Sequence, residues 1–542
     1  MKNNIPAAPC IPASLISFLQ KEKINILYLC ALIFVVIFLR TPFLDVPLER
    51  DEGEYAYGAQ LLLKGYLPYV NFYNMKLPGM YLIYSVILEL FGMTHKGIHT
   101  GLLVVIIIST VTIYLLARNL SNTLFATITA TTFAILTLDP GMQGIIANSE
   151  HFMNFFILLA LLLISYKKET NNYFYAAGIL LGLALIIKQH AIFAVLFSAI
   201  LFWQQQNSRA TIKGKFYTLL LFFLSAFTPI ILLSTYYFMN GHFHEFRLWV
   251  FDYAIDYVSQ IPLNLVGDIF IIKSLTAFSQ MYLIWIFILS GLLLSAVRFN
   301  TDMLPRYLLL FAVFSFLSII PGFYFRPHYY LLLVPAASLT SGYMAISIKK
   351  FLNNSTATIK NGVPVLVYLA LVAFTFNSQR DYLFRYSPVQ VSRLLYGRNP
   401  FPESIQIAEF IAKATGKKDK ILVLGSEPQI LFYARRQSAS GFFYMYPLME
   451  KHRNAIKMQK LFISEVENNN PSFAVVVNIP FSWQITPESE LHIIDWSNKY
   501  INNNFYPVAI LTLRGGNEGY EWHQYNEKYT NSNFTITLFK HR

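Results

Sequence analysis

Apolar and polar positions along this chain alternate in blocks of bilayer length, not at the short periods of a soluble protein. Apolar runs fall at 24–40, 97–117, 123–138, 152–166, 173–187, 191–204, 216–238, 279–297, 305–321, 329–348 and 361–378. They read as about eleven spans, each close to the roughly 17–25 residues that cross a hydrocarbon core. Pro42 and Pro47 end the first of them. In 51–64, Tyr55, Ala59, Leu62 and Leu63 recur at helical spacing, which predicts a surface helix with one apolar face. The segment 77–92 is apolar too, but counting it as a crossing would invert every later loop. It is therefore predicted to lie at the interface or to re-enter it. From about residue 379 the pattern changes to frequent charges and short β-type runs at 421–424, 473–477 and 534–538, with helical stretches at 403–414 and 427–435 between them. That pattern predicts a small α/β domain.

Composition supports the membrane reading. Hydrophobic residues make up 55% of the 542 and charged residues 13%, about half the roughly 25% of soluble domains. The net charge of +13 raises nucleic acid as a partner, but its distribution excludes a phosphate-binding stripe. Lys167-Lys168, Arg209 to Lys215, Arg298 with Arg306, and Lys349-Lys350 with Lys360 sit in alternate gaps between apolar runs. This is the positive-inside pattern. It predicts a cytoplasmic tail over 1–23, a transmembrane domain over 24–378 whose first extracytoplasmic loop is 41–96, and an extracytoplasmic α/β domain over 379–542. The first span reads as an uncleaved signal anchor. Cys10 and Cys30 are the only cysteines, so neither a disulfide framework nor a cysteine zinc site is available.

Four extracytoplasmic gaps carry polar residues beyond what packing requires. The first holds Arg50-Asp51-Glu52-Gly53-Glu54-Tyr55, then Tyr73 and Lys76. Carboxylates at the mouth of a span are costly unless water or a ligand meets them. They read as a base beside an aromatic sugar platform, with Lys76 near a phosphate, or as a solvated loop. The second ends in Asn148-Ser149-Glu150-His151, which reads as a functional acid or as a helix cap with an acid in its first turn. The third places Lys188-Gln189-His190 in an apolar hairpin, where a deep Lys calls for an anionic partner and an interfacial one snorkels. The fourth is Arg326-Pro327-His328-Tyr329-Tyr330, either a phosphate fork or an aromatic belt with an Arg anchor.

Together these residues resemble the GT-C superfamily of membrane glycosyltransferases, of the family 39 type that includes bacterial relatives of protein O-mannosyltransferase and lipid A aminoarabinose transferase. Arg50-Asp51-Glu52-Gly53-Glu54-Tyr55-Ala56 looks like that family's first-loop acidic pair and Tyr-Ala helix. Lys76-Leu77-Pro78-Gly79-Met80-Tyr81 looks like its Lys-Pro-Pro-Leu-Tyr element, with Leu77 and Gly79 as departures. Glu150 takes the place of a second-loop acid that is usually Asp. Gly182-Leu183-Ala184 running to Lys188-Gln189 matches a hairpin element, and Arg326-Pro327-His328-Tyr329-Tyr330 with Pro335 is similar to an Arg-His-Tyr…Pro element. In the tail, Gly425-Ser426-Glu427-Pro428-Gln429 resembles a recurring element to which no role attaches.

The resemblance, over residues 24–348, implies a polytopic GT-C fold and an inverting transferase that uses a polyprenyl-phosphate sugar in a bacterial inner membrane, its site facing the periplasm or exterior. It implies Asp51, Glu52 and Glu150 as the catalytic acids and Lys76, Arg326, His328 and Lys188 around the donor phosphate. Tyr55, Tyr73, His151 and Tyr329 would line the sugar or acceptor cavity. Partners would be the carrier, a glycan, lipid or protein acceptor, and membrane lipid, with no nucleic acid. No motif demands a cofactor, although acids in two loops can hold a divalent cation. A lipid-linked sugar transporter or flippase also explains many spans, but it predicts midplane charges and internal repeats, and neither is visible. A receptor or scaffold is favoured only by the C-terminal domain.

Overall fold

The computed structural model describes residues 13–166, 172–205, 211–514, 519–525 and 534–542. The first twelve residues of the expected tail, Lys167-Lys168 and Arg209 lie outside the described residues.

Each of the eleven expected spans falls on a helix. These are α1 (Ala13–Arg40), α4 (His95–Leu120), α5 (Thr123–Leu136), α6 (Ser149–Ser165), α7 (Asn172–Ile187), α8 (Ile192–Gln205) and α9 (Ile212–Met239), then α12 (Tyr282–Val297), α13 (Met303–Leu317), α14 (Val334–Phe351) and α15 (Ala357–Ser378). Five segments are long and apolar enough to cross a membrane alone: Asn25–Asp45, His95–Leu120, Ile212–Met239, Pro327–Phe351 and Ala357–Ser378. The other six helices, α5 to α8, α12 and α13, are 14 to 17 residues long. At 1.5 Å per residue they reach about 21–26 Å, short of the roughly 30 Å core. Tight turns lengthen some elements, as Gln189–Ala191 does for α8 and Pro327–Leu333 for α14.

Two elements sit between α1 and α4: α2 (Arg50–Leu62) and α3 (Gly79–Phe91). The α3 start packs on Ile186 at the end of α7, and its end packs on Gly97 at the start of α4. The two ends of α3 therefore lie where α7 ends and where α4 begins. A bent pair was not expected. Helices α10 (Phe243–Val258) and α11 (Leu263–Ser279) meet at 63°. The pair begins beside Tyr237, whose hydroxyl donates to Pro68 O at 3.2 Å, and ends where the Thr276 and Ala277 carbonyls face Gly141. It starts and finishes against loops of the same layer, so the alternation of the flanking spans is kept.

The C-terminal part forms a six-stranded mixed sheet in the order β2-β1-β3-β6-β4-β5. β1 (Lys420–Leu424), β3 (Phe473–Asn478) and β6 (Thr535–His541) match the expected runs, while β2 (Gln437–Ser438), β4 (Phe505–Leu513) and β5 (Tyr520–Gln524) were not foreseen. β1 runs parallel to β2 and β3, and β3-β6-β4-β5 are antiparallel. Alternation along β1 sends successive side chains to opposite faces. Ile421 and Val423 join a core shared with the transmembrane helices. Leu422 and Leu424 join a second core with Phe442 and Met458, and this core also contains Tyr69, Tyr237 and Trp249. The sheet domain is thus packed into the first loop and the bent pair.

Candidate active site

The acidic cluster starts α2, and the helix distributes its members. Glu49 caps it: its carboxylate accepts from Glu52 N at 2.9 Å, and the Glu52 carboxylate in turn accepts from Glu49 N at 3.2 Å. This reciprocal box satisfies two of the helix's orphan donors. With 3.6 residues per turn, each next residue then points about 100° further round. Arg50 reaches the sheet domain, Asp51 faces a cavity, Glu52 turns to α4, and Glu54 turns to α3.

The cavity, about 440 Å³, lies between α2, the 71–77 loop, the bent pair and the sheet domain. Asp51, Tyr55, Lys76, Lys188, Arg326, His328 and Tyr329 line it. Lys76 Nζ donates to Asp51 Oδ1 at 2.8 Å and lies 2.5 Å from Glu54 Oε2. It also sits 4.4 Å above the Tyr55 ring. Tyr444 of the sheet domain donates to the same Asp51 oxygen at 3.1 Å. Burial works to raise the Asp51 pKa, but the adjacent Lys76 ammonium outweighs it and holds the carboxyl below its usual range. Burial likewise opposes the Lys76 charge, and Asp51 and Glu54 overcome it, so the ammonium persists well above its ordinary pKa.

Lys188 Nζ lies 2.6 Å from Glu150 Oε1 and 3.7 Å above the Tyr329 ring. Glu150 is fully buried behind it. Arg326 differs from both lysines: its side-chain partners are the Tyr257 hydroxyl at 3.3 Å and the Tyr324 ring at 5.2 Å, and neither is an anion. The loop that carries it holds Phe323 at φ 57° and Phe325 at φ 44°. Left-handed backbone at bulky residues costs on the order of 1–3 kcal/mol each and concentrates at functional sites. His328 Nδ1 sits 3.2 Å from Gln143 Oε1.

Four expected site residues stand off the cavity wall, Glu150 behind Lys188 and three more. Glu52 Oε1 accepts from Ala147 N at 2.7 Å and lies 2.9 Å from His99 Nε2, so this carboxylate ties α2 to α4 and the 139–148 loop. Tyr73 stacks on Trp249 and donates to Glu465 at 2.7 Å, which anchors the sheet domain. His151 Nε2 is held 2.9 Å from Gly144 O. Other residues on or behind the wall were not assigned from sequence. Glu54 shares Lys76 with Asp51, and its i, i+3 spacing from Asp51 is the signal that places both on one face. Tyr444, Tyr446 and Glu450 come from the sheet domain and Tyr253 and Tyr257 from the bent pair. The aromatic run Phe442 to Tyr446 in a polar domain is the trace they leave in sequence.

The solved structures with which this architecture aligns cover nearly the whole chain. ArnT from Cupriavidus metallidurans bound to undecaprenyl phosphate aligns at 13% identity and TM-score 0.54, covering 96% of this chain and 98% of that one. The Archaeoglobus fulgidus oligosaccharyltransferase tethered to an acceptor peptide aligns at 12% identity and TM-score 0.52, covering 94% and 74%. The chain has the GT-C fold. Within that fold, residues 76–233 also match the family model described as dolichyl-phosphate-mannose-protein mannosyltransferase. The archaeal oligosaccharyltransferase AglB in complex with an inhibitory peptide and a dolichol-phosphate aligns at 13% identity and TM-score 0.53, covering 93% and 75%. No curated protein matches by sequence. The family-model match begins at Lys76, beside Asp51, and includes Glu150 and Lys188.

Proposed function

We propose that this protein is an inverting glycosyltransferase that moves a sugar from a polyprenyl-phosphate carrier to an acceptor on the extracytoplasmic side of a bacterial inner membrane. The acceptor class is a cell-envelope glycan, lipid A or a protein. One observation carries the reading. Arg326 projects from a strained loop into the cavity with no carboxylate in ion-pair contact among the described residues, Asp51 and Glu450 acting on it only from further off, while both lysines of the cavity are paired directly with carboxylates. A partly buried guanidinium in that position is completed by a phosphate, whose oxygens fit its planar donor fork. The fold supports it, since matched structures hold undecaprenyl phosphate and a dolichol-phosphate.

The chemistry follows from charge placement. The acceptor hydroxyl donates to Asp51, and its oxygen attacks the anomeric carbon from the face opposite the phosphate. The bond from that carbon to the phosphate oxygen breaks, and the lipid phosphate leaves with the electron pair. Arg326, with Lys188 beside it, takes up the charge that grows on the leaving oxygen. A carboxyl held at low pKa is a weak base, so Asp51 orients the hydroxyl and receives its proton late, as the new bond forms. A divalent ion would draw on Asp51 and Glu150, yet each faces a lysine ammonium. The reading therefore assigns the leaving-group charge to the cationic side chains. Mass spectrometry of envelope glycans, lipids and proteins from cells with and without the gene tests it. A missing glycoform is expected, and an unchanged inventory would count against transfer.

A further inference from the structure

The element Gly425-Ser426-Glu427-Pro428-Gln429 is the part of the sequence that the proposed chemistry leaves unexplained, and Ser426, Glu427 and Gln429 of it meet α2. Arg50, the residue before Asp51, runs into the sheet domain. Its Nε donates to Ser426 O at 2.6 Å, and its Nη2 donates to Glu427 Oε1 at 2.6 Å. Glu427 is fully buried, and its second oxygen accepts from Gln429 Nε2 at 2.5 Å. Pro428 starts the short helix that carries Gln429, and Gln429 packs flat on α2 at Gly53. A Cβ built on Gly53 would lie 2.7 Å from Gln429 N and 3.0 Å from its Cα. Gly425 sits at φ 149°, and a Cβ there would meet Val477 at 2.8 Å. Finally, Ser426 Oγ accepts from Met445 N at 2.9 Å, which sets the neighbouring Tyr444 whose hydroxyl donates to Asp51 at 3.1 Å.

Both routes end on Asp51. One passes through the α2 backbone by way of Arg50 and Gly53, the other through Tyr444. We infer that the Ser426–Gln429 element of the C-terminal domain is a positioning device for the acid on α2, so that the domain is an integral part of the transfer site and not an appended module. The inference rests on the proposed role of Asp51. Neither Glu427 nor Gly53 lines the cavity, so any effect of changing them on turnover passes through the position of Asp51 and its neighbours.

Two variants test it in full-length protein reconstituted in nanodiscs. Glu427→Gln keeps the shape and removes the charge opposite Arg50. Gly53→Ala suits the helix but forces Gln429 and its backbone off α2. Single-turnover transfer from a polyprenyl-phosphate sugar and the affinity for polyprenyl phosphate are measured for both, with Asp51→Asn alongside. A small displacement of a reacting group costs on the order of 10²-fold in rate. The expected result is a loss of about 10- to 100-fold in single-turnover rate for each variant, with carrier affinity unchanged in protein that is still folded at the assay temperature, although its thermal midpoint falls. Wild-type rates in both, with Asp51→Asn inactive, overturn the positioning role and leave the function standing. Full activity in Asp51→Asn overturns the function on which it rests. If Glu427→Gln fails to insert, Gly53→Ala decides by the same criterion, because Ala raises helix propensity and a loss of rate there is not a loss of α2.

Discussion

Arg326 is the cation whose removal the structure makes most informative. Lys76 is braced by Asp51 and Glu54, and Lys188 by Glu150, so these ammonium groups are already compensated. Arg326 holds a phenol and lies over an aromatic ring, leaving most of its five donors for a ligand. Arg326→Ala therefore removes charge-assisted bonds to the phosphate without breaking a direct ion pair. A hydrogen bond to a charged group is worth about 1.5–3 kcal/mol, and 1.4 kcal/mol is tenfold in affinity. The dissociation constant for polyprenyl phosphate should rise by about 10- to 150-fold. Arg326→Lys keeps the charge but loses the fork, and should fall between wild type and Ala. Binding is measured in nanodiscs by competition against a labelled polyprenyl phosphate, and insertion is verified by thermal unfolding. Unchanged affinity in an inserted Arg326→Ala protein would refute the phosphate assignment, since among the described residues no carboxylate is in ion-pair contact with Arg326 and its fork is left for a ligand.

Further outcomes follow from the same geometry. Asp51 has its pKa depressed by Lys76, so the benefit of its charge is complete above the ordinary carboxylate range near 4 and is lost only as pH falls toward the lower folded value. Transfer should thus show no acid limb from Asp51 between pH 5 and 7. In Lys76→Gln the largest charge opposing burial is gone, leaving His328 and Arg326 against it, and an acid limb should move up; a flat profile in that variant contradicts the coupling. Gly182→Ala should destabilise the bundle by about 1–3 kcal/mol by overpacking, because its Cβ would run into Ala226 O and Pro229 of α9; an unchanged thermal midpoint would speak against that helix contact. For orientation, in a background lacking Cys10 and Cys30, single cysteines at exposed Lys64 and Lys418 should react with an impermeant thiol reagent from outside, and cysteines at Asp302 and Asn354 only after the membrane is opened. The reverse labelling would overturn the proposed topology.

Much of the bundle was legible because bilayer-length apolar runs between basic gaps carry a strong signal. The bent pair escaped because His242, Glu245, Arg247, Asp252 and Asp256 interrupt its first arm and Pro262 parts it from the second, so neither half reads as a span. Strands β4 and β5 escaped for another reason: Tyr506, Pro507 and the polar Tyr520–Gln524 segment break the apolar run by which β1 and β3 were found. At the site, the acidic cluster was visible but its division of labour was not. Asp51 differs from Glu52 because His99 and Ala147 N meet Glu52, whereas a cavity meets Asp51. Those neighbours lie 47 and 95 residues away from Glu52 in sequence. Tyr444 reaches Asp51 across 393 residues, a pairing that no local pattern encodes. Lys76 was expected at the phosphate; it lines the cavity with Arg326 and also lies between Asp51 and Glu54, a pairing the sequence did not signal.

The central claim is that sugar leaves a lipid phosphate in this cavity, and the most direct test is transfer by the purified protein. Wild type and Asp51→Asn are reconstituted in nanodiscs with radiolabelled polyprenyl-phosphate sugars and an envelope extract as acceptor source, and labelled product is separated from carrier. The account predicts that wild type moves label from one such carrier to an acceptor with inversion at the anomeric carbon. It also predicts that Asp51→Asn, while still binding polyprenyl phosphate, loses on the order of 10²–10⁴-fold in rate. Equal transfer by both proteins, or translocation of intact labelled carrier in liposomes with no transfer by either, would contradict it.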